Sequence, residues 1–119
     1  MRAAVLTLGL LPYAYFGLSD NSYHARHRRV PAAERLAHAA IVLALLTVAP
    51  QAYVANSGMV LAGLVLFVAA RSVDEYVFHR GLPVAESALH ARTHFAFLVY
   101  VVALLAVDWA EANAWHVTF

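Results

Sequence analysis

Apolar residues occur in four blocks along the chain instead of being spread evenly. These blocks contain almost no charged residues and cover Ala3–Leu18, Leu36–Ala55, Met59–Ala70 and Phe95–Val107. With its flanks, each block approaches the roughly 20 residues that cross a bilayer as a helix. The pattern therefore predicts an all-α fold, an integral membrane four-helix bundle that forms a single domain.

Prolines and small polar residues mark the ends of the predicted helices. Val30-Pro31 and Gly81-Leu82-Pro83 predict two tight turns, because the residue before proline avoids helical geometry and glycine suits a helix end. Pro50 and the Asn56-Ser57-Gly58 cluster predict the loop that ends the second helix. The predicted helices are therefore about Ala3–Arg28, Ala32–Val48, Met59–His79 and Val84–Trp109.

One polar motif occurs twice. HRRVPAAERLAH at 27–38 and HRGLPVAESALH at 79–90 are identical at six of twelve positions. The motif predicts two tandem helix–turn–helix repeats, at about 1–55 and 56–110, followed by a short tail at 111–119. Each repeat crosses the membrane an even number of times, so the two copies are expected to be parallel, related by an axis along the membrane normal.

Composition and charge narrow the class of protein. The chain is 63% hydrophobic and 13% charged, against about 45–50% and about 25% in soluble domains. It has no cysteine, which excludes disulfides and thiolate metal sites. The net charge of +1 gives no information about nucleic acid, and no basic stripe is long enough to follow phosphates, so no nucleic-acid partner is expected.

Arginine placement predicts the orientation in the membrane. Seven of the eight arginines lie around the two predicted turns. Because short cytoplasmic loops are enriched in arginine and lysine, both turns are expected in the cytoplasm and both termini outside. The expected location is the inner or plasma membrane of a prokaryote.

Carboxylates and histidines recur four residues apart on every predicted helix, a spacing that places both on one helical face. The pairs are Asp20–His24, Glu34–His38, Glu75–His79 and Glu86–His90, and His27 and His94 extend two of them. All four pairs lie next to a predicted turn, so they are expected to meet at one level of the bundle. Asp74, one residue off the face, is expected to be solvated or paired with arginine, and His116 lies in the tail.

Ionisable groups at membrane depth normally face the bundle interior and serve a function. Inward-facing histidines and carboxylates are typical of two-metal sites in helical bundles. We expect two metal ions, iron first, with zinc and manganese as alternatives. The expected ligands are His27, Glu34, His38, Glu75, His79, Glu86, His90 and His94, with Asp20 and His24 as further candidates. Glu34 and Glu86 hold equivalent repeat positions and are expected to be bridging or near-symmetric carboxylates.

The ligand types favour an oxygen-activating di-iron enzyme of the hydroxylase, oxidase or desaturase type that acts on a membrane lipid or isoprenoid. Its electrons would come from a separate donor, because the chain has no flavin or nicotinamide motif. The alternatives are a b-type haem carrier ligated by two histidines, a zinc-dependent lipid hydrolase, and a metal permease or an accessory subunit of a larger complex. A metal-free interfacial belt and a homo-oligomer built through small-residue faces also stay open.

Overall fold

A computed structural model describes residues 1–27 and 29–114, and in these residues all regular structure is helical. The elements are α1 (Arg2–His27), α2 (Ala32–Tyr53), α3 (Ser57–Val73), a π-helical turn (Asp74–Phe78) and α4 (Val84–Ala114). We call the π-helical turn, which continues α3, the π-turn. The predicted all-helical fold with four helices is confirmed. Two predictions concern residues outside the described ranges: the helix end at Arg28 and the position of His116 in the tail, away from the predicted site.

The second helix is longer than predicted, so the expected break at Pro50 is wrong. α2 runs through Pro50 and ends at Tyr53. Proline lacks one backbone N–H, and near a helix end the loss of that single hydrogen bond does not stop the last turn from forming. The side chain of Asn56 accepts a hydrogen bond from the backbone N–H of Met59 (3.2 Å). This N-cap starts α3 at Ser57 and leaves a short connection at 54–56.

The helices pack as two antiparallel pairs, α1 with α4 and α2 with α3. The two pairs meet mainly through side chains. Tyr13 of α1, Phe67 of α3 and Phe97 of α4 form an aromatic cluster between them, with Phe67 and Phe97 stacked at a centroid distance of 4.0 Å. Toward the chain termini, Leu6 and Tyr100 pack against Val48 and neighbouring apolar residues.

Arg2 of α1 contacts both α2 and α4 at the end of the bundle where α1 begins and α4 ends. Its guanidinium contacts Asp108 and Glu111 of α4, each at 2.7 Å. Its Nε–H donates a hydrogen bond to the backbone oxygen of Ala52 in α2 (2.6 Å). These contacts fix the register of α1 against both neighbours, and so help to align the polar residues at the opposite end.

α2 and α3 approach closely at Gly63. A Cβ at this position would lie 2.6 Å from Val48 Cγ2 and 3.5 Å from the backbone oxygen of Ala44. Because such overpacking forces the helices apart, Gly63→Ala is expected to lower the free energy of unfolding by about 1–3 kcal/mol. Thermal unfolding in detergent measures the effect.

Gly17→Ala provides the matched control, since a Cβ there meets only Thr93 Cγ2 at 3.9 Å. Alanine is favoured over glycine in a helix by about 1 kcal/mol, so this variant is expected to unfold at the same or a higher temperature than the parent. A Gly63→Ala protein that unfolds at the same temperature as Gly17→Ala would contradict the close packing of α2 and α3.

Three segments are long and apolar enough to cross a membrane: Ala32–Tyr53, Ser57–Phe78 and Val84–Ala114. These spans suggest a membrane protein. The sequence predicts α1 as a fourth span, but α1 is not in this set, and glycine, proline and tyrosine interrupt its apolar stretch. Its outward-facing side chains nevertheless include exposed leucines such as Leu8, Leu11 and Leu18.

Candidate metal centre

Acidic and histidine side chains from both helix pairs meet at the end of the bundle opposite Arg2. They are eight in number and almost completely enclosed, except for His38, whose side chain is 20% exposed. We call this group the eight-residue centre, and it consists of Asp20, His24, Glu34, His38, Asp74, His79, Glu86 and His90. It divides into two halves, one carried by each helix pair.

The α1/α4 half contains Asp20 and His24 from α1 with Glu86 and His90 from α4. One oxygen of Asp20 lies 3.4 Å from His24 Nε2, and the other accepts a hydrogen bond from His90 Nδ1–H (2.9 Å). Glu86 pairs with the other ring nitrogen of His24, Nδ1. His24 is therefore held between two carboxylates, one from each helix of the pair.

The α2/α3 half has the same composition and the same pattern of contacts. Asp74 lies 3.1 Å from His38 Nε2 and 3.4 Å from His79 Nδ1. Glu34 lies 3.4 Å from the other ring nitrogen of His79, Nε2. His79 is thus held between two carboxylates as His24 is, and His38 corresponds to His90.

The two halves meet at their histidines. The rings of His24 and His79 stack at a centroid distance of 5.1 Å, and His79 meets His90 edge-on at 4.3 Å. Ligand atoms lie within 4.8 Å of one another in two buried groups, His24–His79–His90 and Glu34–His38–Asp74–His79. Ligands bound at about 2.0–2.3 Å from a metal are separated by roughly this distance or less. Both groups could therefore hold a metal ion.

Buried polar atoms in this centre lack hydrogen-bond partners among the described residues. They include both ring nitrogens of His79, Nε2 of His24 and one oxygen of Asp20. Carboxylates lie beside these nitrogens, but not in hydrogen-bonding geometry. Unpaired buried polar atoms are rare in proteins because each loses its hydration. Metal coordination would satisfy both the imidazole nitrogens and the carboxylate oxygens.

The charge of the centre also fits a cation. Four carboxylates are buried, and the cation of Arg71 lies 3.1 Å from one of them, Asp74. Buried charge is unfavourable unless it is compensated. Burial lowers the pKa of His79 below its usual value, which favours the neutral imidazole that binds metals.

The π-turn exchanges the predicted roles of Asp74 and Glu75. The backbone N–H of His79 donates to the oxygen of Asp74, five residues earlier (3.2 Å), so His79 lies next to Asp74 and not above Glu75. Asp74 is completely buried. The expectation that it is solvated is therefore wrong, and the expected arginine partner is Arg71. A spacing of five does not mark one face of an α-helix, so the sequence pattern missed this residue.

The other predicted ligands lie at the edge of the centre or outside it. Glu75 and His94 lie beside His90 with side chains 46% and 43% exposed. His27 is exposed, stacks on Tyr23 at 3.9 Å and donates its Nδ1–H to the backbone oxygen of Tyr23 (2.9 Å). The repeat aligns His27 with His79, but α1 has no π-turn, and His24 takes the corresponding place in the bundle.

A cleft reaches the centre at His38. It lies at the connection between α1 and α2, has a volume of about 530 Å³, and is lined by Asn21, Ala25, Arg29, Val30, Arg35 and His38. His38 is thus shared between the cleft and the α2/α3 half. The cleft therefore borders one edge of the centre.

The site therefore combines four imidazoles and four carboxylates, half from each helix pair. Nitrogen and oxygen ligands without sulfur suit iron, manganese or zinc and do not by themselves select one of them. No protein-family description, curated protein or solved structure matches this chain.

Proposed function

We propose that this chain is an integral membrane protein whose bundle binds two metal ions in the eight-residue centre. One lies among Glu34, His38, Asp74 and His79 of the α2/α3 half, and the other lies at the α1/α4 half, where His24 and His90 meet the ring of His79. The observation that carries the proposal is the pair of matching halves, each with one histidine held between an aspartate and a glutamate. Bundle-borne Glu, Asp and His are an established donor type for paired metals.

All four helices cross the membrane in this proposal, with α1 joining the three long apolar spans. Exposed leucines on every helix support contact with lipid. The α1–α2 and α3–α4 units are tandem repeats related by duplication. Exposed Arg26, Arg29, Arg35, Arg80 and Arg92 lie near the connections at the metal end, which supports a cytoplasmic position for that end.

The proposed activity is oxygen-dependent oxidation of a membrane lipid or isoprenoid by a di-iron centre. Iron accepts mixed imidazole and carboxylate ligation with open positions. In a hydroxylation, one oxygen atom of O₂ enters a C–H bond of the substrate and the other leaves as water. The balance requires two electrons and two protons, and a separate reductase or a quinol supplies the electrons.

The residues of the chain position this chemistry in three ways. Asp20 and Asp74 orient the histidines by contacting two of them each. The aromatic cluster of Tyr13, Phe67 and Phe97 fills the bundle above the centre and excludes water from it. The cleft beside His38 opens near the proposed headgroup level, where a lipid-derived substrate can approach from the membrane.

Metal analysis of the purified protein tests the proposal. Protein purified in mild detergent without chelators is expected to contain close to two irons per chain by elemental mass spectrometry. A protein without metal, even after it is offered ferrous iron, manganese and zinc, would overturn the two-metal centre and leave the metal-free interfacial belt.

Other metal contents would replace the proposed activity. Zinc in both halves would indicate lipid hydrolysis by metal-bound water. One iron per chain with the absorption of a porphyrin would indicate electron transfer through a b-type haem. If the protein is a permease or an accessory subunit, the metal-loaded protein is expected to oxidise no component of a lipid extract that is supplied with oxygen and a reductant.

A further inference from the structure

A third group of metal-ligating side chains lies at the surface beside the eight-residue centre. Glu75 Oε2 lies 2.8 Å from His90 Nε2 and 3.6 Å from His94 Nε2, and the two histidine nitrogens are 3.0 Å apart. Glu75 comes from the π-turn and both histidines come from α4. We call Glu75, His90 and His94 the rim group.

The rim group breaks the symmetry of the two halves. The repeat aligns Glu75 with Tyr23 and His94 with Val42, neither of which is a metal ligand of this type. Among the residues that the structure describes, the α2/α3 half therefore has no counterpart of the rim group. Since the two halves are otherwise matched, the two resident ions do not need these additional ligands.

His90 belongs both to the rim group and to the buried group with His24 and His79. A cation held at the rim could move inward by keeping His90 and exchanging its other two ligands. The half-exposed Glu75 and His94 can meet a hydrated ion, whereas the buried ligands cannot. The cleft at His38 is lined by Arg29 and Arg35, whose positive charges oppose the approach of a cation.

We infer that the rim group is an entry site that captures a divalent metal ion and passes it through His90 to the eight-residue centre. This inference rests on the proposed two-metal function. It assigns Glu75 and His94 to metal delivery, so these two residues determine how fast the centre fills and not how many ions it finally holds.

Cobalt(II) loading of the metal-free protein tests the inference, because cobalt bound to nitrogen and oxygen ligands can be followed by its visible absorption. Stopped-flow mixing gives the loading rate, and elemental analysis after equilibration gives the ions per chain. His94→Ala and Glu75→Gln are expected to load about 10–100-fold more slowly, the size of effect typical of losing a partner at a metal site. Both variants are expected to reach the same final metal content as the parent.

His27→Ala is the matched control, because His27 is an exposed histidine outside the centre. It is expected to load at the parent rate. Loading of His94→Ala and Glu75→Gln at the parent rate would overturn the inference. A final content lowered by one ion would also overturn it, because the two residues would then be ligands of a resident ion. A parent protein that binds no cobalt would instead overturn the proposed function.

Discussion

Glu34→Gln and Glu86→Gln are each expected to leave one tightly bound metal ion per chain instead of two, and the double variant none. Each glutamate contacts histidines of its own half: Glu34 lies beside His79, and Glu86 beside His24. Glutamine keeps the shape of the side chain but removes the negative charge and one good ligand. The loss in affinity at the altered half is expected to exceed the roughly 10–100-fold typical of an outer partner.

Elemental analysis after gel filtration reads the number of ions in each variant. Glu111→Gln is the matched control, because Glu111 binds Arg2 at the opposite end of the bundle and is expected to leave both ions in place. If Glu34→Gln or Glu86→Gln keeps both ions, the altered glutamate is not a ligand. Loss of both ions in a single variant would show that the glutamate bridges the two metals.

Most of the centre can be predicted from residue spacing alone. An acid and a histidine four residues apart share a helical face, and this rule finds both members of the pairs on α1, α2 and α4. It also finds His79 on the third helix but assigns Glu75 as its partner. The π-turn adds one residue between partners, and nothing in the sequence DEYVF distinguishes this turn from a regular α-helix.

The exposed position of His27 shows a second limit of the sequence pattern. Sequence repetition aligns His27 with His79, yet the structure gives the place between two carboxylates to His24. Alignment compares distances along the chain, whereas the π-turn and the turn lengths determine which side chain faces inward. The aligned position of His24 is Tyr76, which is largely exposed.

Helix pairing is also absent from the sequence pattern. The apolar blocks predict the four helices and the short connections, and tandem repeats suggest that each repeat packs as a hairpin. The structure instead pairs α1 with α4 and α2 with α3. Each half of the centre therefore takes one helix from each repeat, so neither repeat contains a complete half. Side-chain fits such as Gly63 against Val48 determine this pairing, and they depend on three-dimensional packing.

Asp74→Asn is expected to remove the metal ion of the α2/α3 half and to destabilise the metal-free protein. Asp74 is completely buried and contacts His38, His79 and Arg71. When the carboxylate of Asp74 is removed, the mostly buried guanidinium of Arg71 loses its ion-pair partner. Removing one member of a buried ion pair typically lowers the free energy of unfolding by about 3–5 kcal/mol. Metal content and thermal unfolding after chelation measure the two effects separately.

The double variant Arg71→Met with Asp74→Asn separates the structural role of Asp74 from its ligand role. Removing both charges is expected to restore most of the stability of the metal-free protein, because replacing a whole buried pair is often nearly neutral. The metal content should nevertheless stay at one ion, since Arg71 is not a ligand. Glu75→Gln, one residue away, should keep both ions and full stability. If Asp74→Asn binds two ions, metal binding by the α2/α3 half does not depend on the π-turn. Glu75, which lies four residues before His79 in the sequence, would then be the partner of His79.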